Sequence, residues 1–206
     1  MEKLLLQDYT AHHNLKTNLS SISQETSAPY FEINDIERNI VITFSKSDGM
    51  VKYDNSSKKN ISIIDYDNFF TSLEPKSFQQ GKKRCDIIVH TLSDKTYFFL
   101  NELKEKNYDQ IFEKTNIEAA KKQLIATLKE IHTVQTIVDY IQLFTNKICC
   151  FCNSFPKSPS NTINATNAFN RIFLIAKDGL QLSDSRIESY GFEYYEYKGN
   201  QTIKLI

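Results

Sequence analysis

Residues 84–106, RCDIIVHTLSDKTYFFLNELKEK, hold two β-branched and aromatic runs, and each carries an acid where a strand gains nothing from one: Asp86 in the first, Glu102 in the second. The runs read as the arms of a hairpin with Ser93-Asp94-Lys95 as its loop. In the matching register Asp86 faces Glu102, Ile88 faces Leu100 and His90 faces Phe98, and the period of two puts Asp86, Ile88, Glu102 and Lys104 on one side of the sheet. Like charges opposed in this way, with Cβ atoms about 4.5–5.5 Å apart, are destabilising unless something neutral or positive intervenes.

A bound cation removes that penalty. Two carboxylates, a main-chain carbonyl such as that of Leu103, and water make a hard, all-oxygen site that suits Mg²⁺ or Mn²⁺ better than zinc. Lys104, two residues past Glu102, projects into the same region, where it can contact a phosphate or orient and help deprotonate a water. Those parts suffice for metal-assisted hydrolysis of a phosphodiester. The bland alternative is a solvated strand face with alternating charge, preceded by an Asp that ends a turn.

Around the hairpin the chain mixes strand and helix signals. Residues 1–20 read as a short amphipathic helix and 17–29 as a polar connection. NIVITFSK (39–46) and NISIIDY (60–66) read as strands separated by an Asp48-Gly49 turn signal, and 65–84 as short helix and loop. Residues 115–145 read as helix: Thr115-Asn116-Ile117-Glu118 fits a capping box, and Ile117, Ala120, Leu124, Leu128 and Ile131 form one apolar stripe. The β-branched run beyond His132 either continues that helix or begins another packed on it. KICCFC (147–152) and RIFLIAK (171–177) read as strands, and FEYYEYK and TIKLI as a C-terminal pair around Gly199-Asn200. Such a mixture predicts an α/β or α+β domain with a central mixed sheet.

Asp86, fifteen intervening residues, then Glu102-Leu103-Lys104 at the end of an aromatic-aliphatic strand, followed by a helix with Gln123, resembles the PD-(D/E)xK nuclease superfamily over about residues 80–155. The resemblance implies an α/β, restriction-endonuclease-like fold, a mixed β-sheet core flanked by helices, in a single domain over 1–206. Its core would span about 38–178, with 1–30 and 179–206 as elaborations. It further implies that Asp86 and Glu102 bind divalent metal, that Lys104 assists the attacking water, and that Gln123 supports the site. Lys83-Arg84-Cys85 stands where a Pro often precedes the Asp. The acidic residue that many members place on an N-terminal helix has Glu25, Glu32 and Glu37 as candidates, each equally readable as surface charge. The activity expected is that of an Mg²⁺- or Mn²⁺-dependent endodeoxyribonuclease in restriction, repair or anti-phage defence. The rival expectations are a non-catalytic interaction subunit of the same fold and an RNase or toxin.

The chain has 25 basic and 25 acidic residues, so a nucleic-acid partner must be gripped by a local patch, and a homodimer or partner subunit is expected to help hold DNA. Lys82-Lys83-Arg84, Lys104-Glu105-Lys106 and Lys121-Lys122 bracket the proposed site, though a solvated charged face explains each cluster nearly as well. No signal-peptide pattern or membrane-length apolar run is present, which predicts a cytoplasmic protein with reduced thiols and no membrane partner. Cys149, Cys150 and Cys152 are close in sequence, but strand neighbours point to opposite faces, and Cys85 is expected to point away from the Asp86 face; all read as buried small hydrophobes. His12, His13, His90 and His132 show no ligand spacing. The YGFEYYEYK run reads as a half-buried strand rather than a base-stacking surface.

Overall fold

A computed structural model describes residues 1–37, 39–46, 49–105, 114–154, 178–198 and 201–206. The chain builds two sheets. The larger has seven strands in the order β1 (Ser23–Thr26), β5 (Ile61–Asp65), β6 (Ile87–Thr91), β7 (Tyr97–Glu105), β8 (Asn146–Ser154), β10 (Glu193–Lys198) and β9 (Leu180–Leu182). The smaller orders β11 (Ile203–Lys204), β4 (Val51–Asp54), β2 (Tyr30–Ile36) and β3 (Asn39–Thr43). Both sheets mix parallel and antiparallel pairs: β6 runs antiparallel to β7, whereas β7, β8 and β10 are mutually parallel.

Alternate residues of the central strands feed two separate cores. Ile88, Phe98, Leu100, Cys149 and Phe151 face the helices, and Ile87, Val89, Phe99, Leu103, Cys150 and Cys152 face the small sheet, where they meet Phe31, Ile33, Val51 and Tyr53. The helix layer holds α1 (a π-helical turn Leu4–Tyr9 running into Thr10–His12), α2 (Tyr66–Ser72), α3 (Lys114–Ile131), α4 (Gln135–Gln142) and the short α5 (Ser185–Glu188). Both faces of the middle strands are therefore covered, which is why they read as continuous apolar runs.

The expected hairpin register is present for Ile88 with Leu100 and His90 with Phe98, but the ladder ends at Ile87 with Asn101, so Asp86 is not paired with Glu102 as expected and stands on a bend before β6. The apolar stripe of α3 packs as expected, with Ala120, Leu124, Leu128 and Ile131 buried. The helix begins at Lys114, so Thr115 lies inside its first turn, and Glu118 contacts Arg186 and Lys121 instead of closing a capping box. Beyond His132 a second helix begins; the end of α3 is closed by Thr133 Oγ1, which donates to the Glu130 carbonyl at 2.6 Å.

Several expectations are corrected. The connection 17–29 contains β1, paired antiparallel with β5, and β2 and β4 carry the small sheet. The two C-terminal runs do not pair with each other: β10 joins β8 in the large sheet and β11 joins β4 in the small one. Their partners lie far away in sequence, which local pattern does not encode. Cys85 packs in the helix-side core with Cys149 and Ile88, not away from Asp86, because Asp86 is a bend and strand alternation begins only at Ile87. The strand expected at 171–177, Asp48, Lys106 and Gly199-Asn200 lie outside the described residues. No helix among those described is long and apolar enough to cross a membrane.

Candidate active site

The site sits where β6 and β7 part. Strand β7 outlasts β6: its residues Glu102 to Glu105 pair with Phe151 to Ser154 of β8 on one edge, and among the described residues no strand pairs with them on the other. Asp86 fills the fork. Its amide donates to the Asn101 carbonyl at 3.1 Å, and its Oδ2 accepts from the Leu103 amide at 2.5 Å. The Leu103 main chain thus turns its polar edge toward Asp86.

The bend carrying Asp86 is anchored by two helices, α3 and α2. Gln123 Nε2 donates to the Arg84 carbonyl at 3.0 Å, and the Cys85 amide donates to Thr127 Oγ1 at 2.7 Å. The Asp86 carbonyl accepts from the amides of Tyr66 and Asp67, both at 3.0 Å, at the start of α2, which Asp65 caps by accepting from the Asn68 amide at 3.0 Å. Arg84 Nε donates to Asp67 Oδ1 at 2.5 Å. Gln123 therefore meets the backbone that presents Asp86.

Glu102 is fully buried on the helix-facing side of β7. Lys104 Nζ lies 2.5 Å from its Oε1 as a close ion pair outside hydrogen-bond alignment, and Oε2 has no hydrogen-bond partner. Burial, and then the neighbouring charge of Asp86, push the Glu102 carboxyl well above the usual range. Burial also raises Asp86 from 3.8 to about 6, against the pull of Lys104 and the Leu103 amide. For Lys104 burial acts downward, but the charges of Glu102 and Asp86 outweigh it, so the net shift is upward. In this arrangement Lys104 is an ammonium that can hold a phosphate oxygen or orient a water by donating to it, and it is not poised to take a proton.

The three candidates for a further acid stand elsewhere. Glu25 is exposed on β1, Glu37 is exposed with φ 52° after β2, and Glu32 is buried in the small sheet, accepting from the Gly49 amide at 2.8 Å and from the Tyr30 hydroxyl. Besides Glu102, the acids whose charges reach Asp86 include Asp67, on α2, and Asp35, on the small-sheet strand β2. Neither has a sequence signal beyond its charge, because α2 and the small sheet come near Asp86 only in the folded chain. No group of three His, Cys, Asp or Glu side chains able to hold a metal occurs among the described residues.

The bracketing basic residues are largely engaged inside the protein. Lys82 binds Glu130 at 3.0 Å and lies 3.5 Å over the Phe78 ring, Arg84 binds Asp67, and Lys121 lies 3.5 Å from Asp184. A second Glu-x-Lys, Glu196-Tyr197-Lys198 on β10, stands two strands from the first on the same face, with Lys104, Asn153 and Lys198 in register across β7, β8 and β10. Lys198 Nζ lies 3.0 Å from Glu196 Oε2, and the Tyr194 hydroxyl donates to Glu196 Oε1 at 3.2 Å. The repeated triplet was legible in sequence, its alignment with the first was not. All four cysteines are buried free thiols split between the two cores.

Comparison with family models, curated proteins and solved structures finds no match to this chain.

Proposed function

We propose that the protein is a divalent-metal-dependent phosphodiesterase that cleaves DNA, with Asp86, Glu102 and the Leu103 carbonyl as ligands to Mg²⁺ or Mn²⁺ and Lys104 beside them. The observation that supports this reading most is the buried Glu102 carboxylate, whose Oε2 has no hydrogen-bond partner in a fork shared with Asp86. Burying a carboxylate without full pairing is expensive, and such strain concentrates at functional sites. The donor set is all oxygen and incomplete, which fits a cation that keeps several waters and takes ligands from a phosphate rather than one that needs a closed protein cage. A metal there supplies Lewis acidity and an activated water.

The chain's own residues have distinct tasks. Asp86, fixed through Leu103, and Glu102, fixed by strand register, set the donor positions. Lys104 steadies the attacked phosphate as a cation. Gln123 acts through the Arg84 carbonyl and is a positioning residue. The order antiparallel hairpin, helix, parallel strand (β6, β7, α3, β8) is compatible with a restriction-endonuclease-like core, and the site lies at the carboxyl ends of the parallel strands β7 and β8, where open α/β sheets commonly bind ligands. Restriction, repair or anti-phage defence in the cytoplasm, and a homodimer or partner subunit that helps grip DNA, complete the reading.

The test is digestion of plasmid DNA and of RNA side by side with Mg²⁺, Mn²⁺ or EDTA, comparing wild type with Glu102→Gln and Lys104→Ala. Metal-dependent DNA cleavage lost in both variants is expected. Cleavage of RNA alone turns the reading to an RNase, and metal binding without cleavage of either turns it to a non-catalytic subunit.

A further inference from the structure

The Arg84 carbonyl and the Cys85 amide belong to one peptide plane, and α3 grips both ends of it. Gln123 Nε2 donates to the carbonyl at 3.0 Å, and Thr127 Oγ1 accepts from the amide at 2.7 Å. The two side chains are four residues apart, one above the other on a single helix face. A rigid peptide held at both polar ends cannot rotate, so the direction in which the chain leaves it toward Asp86 is set. Thr127 is fully buried, and its own hydroxyl proton goes to the Gln123 carbonyl at 3.1 Å, which leaves its lone pairs to the Cys85 amide.

From this geometry we propose that Thr127 is a positioning residue for the Asp86 carboxylate: by bracketing the Arg84–Cys85 peptide together with Gln123, it sets the bend that brings Asp86 onto the amide of Leu103. As a statement about catalysis this rests on the proposed metal site, but as a statement about where Asp86 stands it does not. The Leu103 amide bonds to the Asp86 side chain and not to Thr127 or Gln123, so a purely local hydrogen bond at Cys85 has no reason to affect it.

The experiment compares Thr127→Val, which keeps the shape and removes the acceptor, with Thr127→Ser, which keeps the acceptor, in the full chain. Amide hydrogen exchange followed by NMR should be at least about tenfold faster at Leu103 in Thr127→Val and within about twofold of wild type in Thr127→Ser. The Mn²⁺ concentration giving half of the thermal shift should rise at least about tenfold in Thr127→Val and return in Thr127→Ser, the scale expected for loss of an outer-shell partner. Faster exchange at Cys85 with Leu103 unchanged in a folded Thr127→Val protein overturns the proposal. Should that variant not fold, Gln123→Met frees the other end of the same peptide, and an unchanged Leu103 amide there overturns it equally. A wild type indifferent to Mn²⁺ would sink the metal reading while leaving Leu103 exchange to decide the role of Thr127.

Discussion

Lys104 Nζ stands 2.5 Å from Glu102 Oε1, and the pair is lopsided: the lysine side chain is about one-third exposed, whereas the glutamate is sealed. The cost of the arrangement therefore falls on Glu102. Glu102→Gln should remove a buried charge without creating a cavity, so the metal-free protein at pH 8 should melt at or above the wild-type temperature, while cleavage falls more than about a hundredfold, beyond the cost of losing an outer-shell partner. Differential scanning calorimetry beside a cleavage assay reads both. A variant that melts well below wild type would mean that the carboxylate stabilises the fold.

Two buried groups give opposite slopes of stability against pH. The folded-state value of Asp86 is raised from 3.8 to about 6, so the native state holds that proton more tightly, and stability present below 3.8 is lost as pH rises through 6, by up to about 3 kcal/mol. Burial lowers His90 from 6.5 to about 4, so its contribution grows over nearly the same interval as pH rises. Glu102 shifts in the direction of Asp86. Relative to wild type, the urea midpoint measured in EDTA should therefore tilt upward between pH 4 and 7 for Asp86→Asn and downward for His90→Phe. Parallel profiles for wild type and Asp86→Asn would remove the buried acid from the account.

Cation binding must displace the protons that burial favours on Asp86 and Glu102. Mn²⁺ should raise the melting temperature by the ordinary linkage of ligand to the native state, with a half-saturating concentration that climbs severalfold as pH falls from 7.5 to 5.5. Titration calorimetry in buffers of different ionisation enthalpy should register proton release. Asp86→Asn should respond little to Mn²⁺, and an equal response would place the cation elsewhere.

A Cβ at Gly49 would stand 2.6 Å from Glu32 Cβ, close to the β2 backbone and hard to move. Gly49→Ala should cost about 1–3 kcal/mol by overpacking the small sheet, measured by urea denaturation, with activity per folded molecule preserved. Loss of activity in the folded fraction would tie that sheet to the chemistry directly.

The four thiols are fully buried, and burial raises Cys85, Cys149 and Cys150 above the usual thiol range. None should react with a disulfide reagent in the native protein, and all four should react in urea. Rapid modification of one native thiol would point to an opening in a core.

The hairpin was legible because its loop residues and its period of two act over a few positions, and the same short range made the α3 stripe readable. Strand alternation brings Glu102 and Lys104 to one face, whereas Asp86 reaches Leu103 from a bend before β6 that α2 and α3 hold. What pattern could not supply was the company these residues keep. Asp67 reaches Asp86 through the start of α2, Asp35 through the packing of a second sheet, and Thr127 through a backbone amide that has no side-chain signature. The pairing of β10 with β8 and of β11 with β4 joins segments some fifty to one hundred and fifty residues apart, and nothing local distinguishes those partners from a hairpin at Gly199-Asn200.

Strand β7 has no idle side. Phe99 and Leu103 belong to the core beneath the small sheet, and Leu100 and Glu102 to the helix-facing side. An extra residue inserted between Tyr97 and Asn101 would turn the downstream strand over, sending a carboxylate toward Tyr53 and Cys152 and bringing Leu103 to the fork. Such a shift cannot be silent, because the candidate site and the packing are read from the two phases of one repeat, and the chain keeps both or loses both.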